Sequence, residues 1–438
     1  MIKARGIFKG DLAIWFIYFL LIGVSLVEEF SAASSLAYKS GDYWGVFYNH
    51  AQLLLGGFLI MWVVHNIPCR YFKIVPLFGL TIIIIALFCT LLFGQTSNEG
   101  SRWLVVFGIQ LQPSEFAKPI LVTTVALFLS FNQQEQSADP RVFNKILIVT
   151  GVVCVLILTQ NFSTAALIFC VVYMMMIIGR VPARLMLKLT GTMLGVGVVT
   201  FIILLSLPND SFVFDLPGLG RAKTWKSRLA SFSEEKQTTD TTLQAAIIAR
   251  NNGQQINIDS IEAAKFPIAE KAQVGHANIA IASAHIIGKG PGNSVQRDFL
   301  SQAFSDFIFA IIIEELGLLG AFGVALLYII LLFRAAIIAN RCERNFPAFL
   351  ILGLALLIVF QALLNMAVAV GLMPVTGQTL PLISRGGSSI ISVSISLGMM
   401  LSVSRYARKR KDKMPVHAEE MQPLDPIQAN FEDEGDMQ

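Results

Sequence analysis

The chain has 438 residues, 55% of them hydrophobic and only 14% charged, whereas a water-soluble domain carries about a quarter charged residues. Its charges crowd between long apolar runs, which excludes a soluble globular enzyme and points to a chain lying largely in lipid. The formal charge of +4 excludes little by itself; where the positive residues sit says more.

A hydrocarbon core about 30 Å thick takes roughly 20 helical residues to cross. Because lipid offers no partner to backbone polar groups, such runs are helices. In chain order the predicted spans are 11–33, 46–64, 71–93, 114–131, 143–160, 162–179, 184–207, 304–333, 347–371 and 384–404. The first follows Lys3, Arg5 and Lys9; it is too long for a signal-peptide core and is read as an uncleaved helix. Pro68, Pro113, Pro182, Pro208 and Pro374 punctuate the boundaries. Only Thr159-Gln160-Asn161 divides the fifth span from the sixth, which predicts a tight hairpin. The expected fold class is an all-α polytopic membrane protein of about ten transmembrane helices. Residues 1–413 would form the transmembrane domain, with one large extracytoplasmic loop at 208–303 between helices 7 and 8. The acidic, Gln/Pro-rich segment 414–438 is expected to be a disordered cytoplasmic tail.

One set of short loops holds Arg70, Lys73, Arg141, Lys145, Arg180, Arg184, Lys188, Arg334, Arg341 and Arg344, and the end of the last span adds Arg405 to Lys413. The opposite short loops hold only Lys39, Arg102 and Arg385. The positive-inside rule therefore predicts both termini in the cytoplasm. Loops as long as 208–303 escape that rule, so its ten basic residues are no objection. The five cysteines, Cys69, Cys89, Cys154, Cys170 and Cys342, show no metal-site spacing, and neither a disulfide nor a zinc site is expected.

An ionisable residue in or beside a span is costly and marks a candidate functional site. Three places qualify. In Gln112-Pro113-Ser114-Glu115-Phe116-Ala117-Lys118, Pro113 and Ser114 suit a helix start, and Lys118 follows Glu115 by one turn. This is either a capped helix with an internal ion pair or, with Arg102 on the same outer loop, an anion site. In Phe304-Ser305-Asp306-Phe307-Ile308, Asp306 opens the eighth span and could serve only as its capping acid. Glu314 and Glu315 would lie about 12–13 Å deeper and need partners for their charge. The third place is Gly377 to Ser389, a Gly-rich polar turn with Ser384 and Ser388, suited to close helix packing or to ligand approach. These patterns do not separate an enzyme from a transporter.

Together the motifs resemble the SEDS family (shape, elongation, division and sporulation proteins) of bacterial cell-wall synthesis. The resemblance rests on Gly100-Ser101-Arg102-Trp103, Gln112-Pro113-Ser114-Glu115 with Lys118, Gly290-Pro291-Gly292-Asn293-Ser294, Ser305-Asp306-Phe307-Ile308-Phe309-Ala310, Glu314-Glu315-Leu316-Gly317, Gln361 to Asn365, Thr379 to Ser384, and Gly386-Gly387-Ser388-Ser389. The Gly-Asn-Ser and Thr-Leu-Pro variants are closer to the division member than to the elongation member.

The resemblance implies a peptidoglycan glycosyltransferase that polymerises lipid II during cell division, with Asp306 catalytic and Arg102, Glu115, Lys118, Gln273, Ser384 and Ser388 binding substrate. A diphosphate leaves readily, so one carboxylate to activate the acceptor hydroxyl suffices, unlike the pair used in glycoside hydrolysis. Lys118 and Arg102 would steady the developing diphosphate charge, a divalent cation (Mg or Mn) could share that work, and no organic cofactor is implied. Implied partners are lipid II, a class B penicillin-binding protein transpeptidase, other division proteins and the membrane, but no nucleic acid. The implied location is the bacterial inner membrane at the septum. The sequence departs from the family at Asn161, Ala272, Ser301, Phe304 and Arg385. The rival readings are a lipid II flippase and a non-catalytic division scaffold.

Overall fold

The computed structural model describes residues 8–32, 43–97, 100–106, 109–131, 133, 138–206, 269–300 and 305–411. Lys3, Arg5, Lys39, Ser301, Phe304, most of the 208–303 loop and the 414–438 tail lie outside the described residues.

Eleven described helices run α1 (Leu12–Ala32), α2 (Tyr43–Asn66), α3 (Val75–Phe93), α4 (Pro113–Phe131), α5 (Pro140–Leu158), α6 (Phe162–Ile178), α7 (Ala183–Ser206), α8 (Ala269–Ser283), α9 (Ile308–Ala339), α10 (Asn345–Ala369) and α11 (Gly387–Lys411). All but α6 and α8 are long and apolar enough to cross a membrane, and α6 is a shorter apolar helix. With α6 counted, the crossing helices match the sequence expectation. The protein is a polytopic α-helical membrane protein.

Local chemistry sets the boundaries. Asp139 caps α5 by accepting from the Arg141 N–H at 2.8 Å, with Pro140 as the first helical residue. Thr159–Asn161 is indeed a tight turn: Asn161 caps α6, accepting from the N–H groups of Ser163 (3.1 Å) and Thr164 (3.4 Å), and α5 packs against α6. The asparagine that departs from the family pattern therefore does the work of a cap.

One feature was not expected. A small antiparallel sheet is formed by β1 (Gln95–Ser97), β2 (Gly100–Val106) and β3 (Ile109–Leu111). The three-residue β1 and β3 are too short to show a period of two, and β2 does not alternate strictly between polar and apolar residues. Helices α4, α10 and α11 are the most buried of the spans and α7 the least. Helix α10 packs on α4, α6, α9 and α11, and α11 packs on α2. The outer helices turn apolar side chains outward, as α3 does with Leu77, Phe78, Ile82 and Phe88, the faces that lipid covers.

Helix α9 is not continuous. Gly317 has φ 73° and ψ −174° inside it. The segment after α8 fills the break: the Lys289 and Gly290 N–H groups donate to the carbonyls of Glu314 (3.0 Å) and Glu315 (2.8 Å), and the Leu318 and Leu319 N–H groups donate to His285 (3.3 Å) and Ile286 (3.2 Å). The backbones cross so closely that a Cβ on Gly317 would collide with the Gly288 nitrogen and the Ile286 carbonyl, and a Cβ on Gly288 with the Gly317 nitrogen. Gly317→Ala is expected to cost at least about 1–3 kcal/mol from backbone strain alone. Gly323→Ala, where a Cβ meets nothing within 4 Å, should leave the unfolding temperature of the detergent-solubilised protein within a degree or two of the parent.

Candidate active site

Asp306 sits just before α9. It does not cap the helix: the N-cap is Phe307, with no side-chain hydrogen bond. This corrects the capping reading and leaves the half-buried Asp306 carboxylate without that structural role. Its Oδ1 accepts from Ser305 Oγ at 2.9 Å.

What surrounds Asp306 is backbone restraint. Asn365 Nδ2 on α10 donates to the Asp306 carbonyl (3.0 Å) and to the Gln378 carbonyl (2.7 Å). Ser384 Oγ donates to the Ser305 carbonyl (2.6 Å) and accepts from the Leu380 N–H (2.7 Å). Both carbonyls lie outside the α9 ladder, so these side chains satisfy groups that burial would otherwise penalise. The 377–386 turn is itself pinned from other helices: Tyr328 donates to the Pro381 carbonyl (2.6 Å), and Ser25 to that of Ile383 (3.0 Å). Leu382, fully buried, is held at φ 66°, a left-handed conformation that costs a non-glycine residue energy and survives only where its neighbours over-determine it.

One helical turn before Asn365 on the same face of α10, Gln361 donates to the Thr379 carbonyl (3.0 Å) and accepts from Lys118 Nζ (2.7 Å). The Lys118 ammonium lies 2.8 Å from each Glu115 oxygen and donates to Oε1. Lys118 is only 1% exposed, so it reaches no solvent directly. The internal ion pair expected from the sequence is present. The structure thus links Glu115, Lys118, Gln361, Thr379, Asn365 and Asp306 through side chains and one turn.

Pro119 lies inside α4 and lacks the N–H that would bond the Glu115 carbonyl. Ser392 Oγ on α11 donates to that carbonyl instead, at 2.7 Å. Ser388 Oγ accepts from the Gln112 N–H at 3.0 Å, fixing the start of α4 to the start of α11. The glycines beside it are not needed for close packing: a Cβ on Gly386 or Gly387 would meet nothing nearer than 3.4 Å.

Arg102 lies on β2, in the strand that leads through β3 to Gln112; its side chain lies outside the described part. Gln273 lies on α8, which packs against α9 through a small core of Ala277, Ala280, Leu300, Phe307, Ala310 and Ile311. The structure brings Ser384 to the Asp306 backbone and joins Lys118 to it through α10. It places Gln273 on the helix covering the same end of α9.

The partners that Glu314 and Glu315 require come from the segment after α8. Glu314, fully buried, accepts from Lys289 Nζ and Ser294 Oγ, each at 2.5 Å, and from the Val295 N–H at 3.2 Å. Glu315 accepts from Ser31 Oγ and from the Gly292 (2.9 Å) and Ser294 (3.2 Å) N–H groups, with Arg297 Nη1 at 3.9 Å. These contacts supply the partners that their depth in the span requires.

Sequence reasoning quoted Gln361 and Asn365 as motif residues but assigned them no role, although polar residues four apart in an apolar run are a signal in themselves. It also passed over Glu28, Glu29 and His50, all fully buried. Glu29 lies 3.6 Å from Arg385, which gives that departure a partner. His50 Nε2 is 2.8 Å from Ser25 Oγ; since Ser25 gives its one proton to Ile383, the histidine is the donor there.

With this geometry described, comparison with known proteins is decisive. The FTSW_RODA_SPOVE family, described as "Cell cycle protein", matches residues 11–409. The chain belongs to this family. A Halomonas elongata protein named probable peptidoglycan glycosyltransferase FtsW is 30% identical over 90% of each chain. Stage V sporulation protein E of Bacillus subtilis is 28% identical, over 91% of this chain and 98% of that one. Among solved structures, a chain from a peptidoglycan synthase complex studied for the coordination of polymerization and crosslinking superposes with TM-score 0.65 at 22% identity, covering 91% of this chain and 98% of its own. The rod shape determining protein RodA of Thermus thermophilus gives 0.57 at 23%, covering 90% and 97%. These two show the shared fold.

Breaking a buried ion pair from one side leaves an uncompensated charge and costs about 3–5 kcal/mol. Lys118→Met alone should therefore lower thermal stability sharply. Lys118→Met combined with Glu115→Gln should recover part of the loss, measured by thermal unfolding in detergent.

Proposed function

We propose that this chain is a peptidoglycan glycosyltransferase that polymerises lipid II into glycan strands in cell division, inverting the donor carbon and releasing undecaprenyl pyrophosphate. The observation that carries the reading is Asp306: a half-buried carboxylate with no capping duty, on a backbone whose carbonyls are held by Ser384 and Asn365. Relatives matched along nine-tenths of the chain carry the same activity in their names.

In this mechanism Asp306 takes the proton of the acceptor sugar hydroxyl as its oxygen attacks the donor's anomeric carbon. The bond from that carbon to the diphosphate breaks, and the electron pair leaves on the diphosphate. A single displacement inverts the centre. Arg102, on the β2 strand before α4, is the cation offered to the leaving group. Lys118 and Glu115 enter as the sealed ion pair beneath the site, setting Gln361 and through it the 377–386 turn that carries Ser384. Ser388 sets the start of α4, and Gln273, on the α8 helix packed against α9, is offered to the substrate.

A divalent cation would supply further charge neutralisation on the diphosphate. Among the described residues no three His, Cys, Asp or Glu side chains converge, and no step is routed through it.

The basic short loops favour an orientation with both termini in the cytoplasm and Asp306 on the outer face, and a role in division would put the protein at the septum. The partner we propose is a class B penicillin-binding protein transpeptidase, a pairing in keeping with the neighbour solved within a peptidoglycan synthase complex that coordinates polymerization and crosslinking.

The test supplies lipid II to the protein purified with its transpeptidase and measures glycan polymer. Asp306→Asn, which keeps the size of the side chain, is expected to lower polymer formation about 10²–10⁴-fold while leaving thermal stability near the parent's, because Asp306 does not cap α9. Equal polymer from both proteins would falsify the assignment; no polymer from either, with lipid scrambling intact, would support transport.

A further inference from the structure

At the end of the bundle away from Asp306, a cavity of about 400 Å³ opens between the α2–α3 connection, the start of α10 and the last turns of α11. Its walls hold four cations, Arg70, Lys73, Arg344 and Arg405, together with Tyr406. Asn365, which bonds the Asp306 carbonyl, is 18 residues along α10 from Pro347 in the cavity wall (365 − 347), or about 27 Å at the rise of a helix. The cavity therefore belongs to the opposite membrane face.

Among the described residues none of these four cations is in a salt bridge. Arg70 donates to the Tyr71 hydroxyl at 3.1 Å, and the Lys73 ammonium sits over the rings of Phe131 (5.5 Å) and Phe346 (5.7 Å). The nearest acid in sequence is Glu343, which does not line the cavity. Four positive side chains around one concave space need anionic charge there. Serine bonding closes the floor, with Ser402 donating to the Ile67 carbonyl at 2.6 Å.

The rim decides what kind of anion. Ile74, Tyr71 and Tyr406 are about half exposed beside it, and the apolar outer face of α3 begins at once with Leu77 and Phe78. Tyrosines and snorkelling cations at the ends of crossing helices mark headgroup level. A ligand here has its phosphate in a cationic cup and its next atoms against an apolar, lipid-facing wall.

We propose that this cavity binds the phosphate headgroup of an anionic glycerophospholipid of the adjoining leaflet, with the acyl chains lying along α3. Basic pockets between helix ends are suited to such headgroups, and each cation near the surface is worth about five-fold in affinity.

The experiment counts lipids retained by the full-length protein in native mass spectrometry after incubation with diphosphatidylglycerol, phosphatidylglycerol or phosphatidylcholine. The parent should retain the two anionic lipids in preference to phosphatidylcholine. Arg70→Gln and Arg344→Gln, both exposed, should each cut that preference about five-fold, and the pair should nearly abolish it. No preference in the parent, or an undiminished one in the double variant, would overturn the proposal. Displacement of the lipid by millimolar inorganic phosphate would assign the cups to a soluble anion and overturn it too. So would a preference seen only after truncation at Lys413, which would give the cavity to the acidic 414–438 segment. The readout involves no catalysis: Asp306→Asn should bind lipid like the parent, so the polymerase reading and this one fail separately.

Discussion

Two hydrogens of one amide hold the Asp306 end of this protein together. Asn365 Nδ2 reaches the carbonyl of Asp306 and that of Gln378 from the last turns of α10. One of these carbonyls precedes α9 and the other belongs to the turn between α10 and α11, so three helices meet at a single side chain. The Gln378 amide continues the link by donating to Thr164 Oγ1 on α6 at 2.7 Å. Where water is scarce, a carbonyl left without a donor is penalised by its full desolvation. That penalty is what gives the amide authority over the position of the Asp306 backbone. Ser384 does the same for the preceding carbonyl, and the aspartate is left to present its carboxylate from a peptide that has little freedom to shift.

The same logic explains why charged groups can sit so deep. A glutamate pair inside a span would be untenable if it faced lipid. Here the chain breaks α9 at Gly317 and brings the segment after α8 into the gap, so Glu314 and Glu315 meet Lys289, Arg297 and a row of backbone N–H groups. Two facing glycines are the steric condition for the crossing. Anchored in this way, the segment also delivers α8 against Phe307 and Ala310, next to Asp306. A stability element and the placement of a site residue are thus one construction.

Much of this was legible beforehand, for identifiable reasons. Span number and the turn at Thr159–Asn161 follow from length and polarity, which lipid enforces strictly. The Glu115–Lys118 pair follows from helical spacing. Asp306 was ambiguous because an acid before an apolar run reads equally as a cap, and only the φ and ψ of Phe307 remove that option. The small sheet escaped because β1 and β3 have three residues each and β2 does not alternate between polar and apolar residues. The partners of Glu314 and the meeting of Gln361 with Lys118 could not be read at all. They join residues 25 and 243 positions apart, and periodicity carries no information about contacts between elements. Glu28 and Glu29 could have been flagged, since acids at the end of an apolar span obey the rule that singled out Glu314.

Helix interruptions stand at two of the buried polar clusters here, and both have a physical cause. An unbroken helix satisfies all its own backbone groups and has nothing with which to bind a neighbour except side chains. Pro119 frees the Glu115 carbonyl, and Ser392 of α11 takes it. Gly317 frees the 314–319 backbone, and residues 285–290 take it. Each freed group becomes a directional contact between elements that van der Waals packing alone would align only loosely. The first fixes α4 against α11 beside Lys118, and the second fixes α8 against α9 beside Asp306. The interruptions therefore stand at the places where orientation matters most to the candidate chemistry, and the unbroken runs of α3 and α5 are left to face lipid.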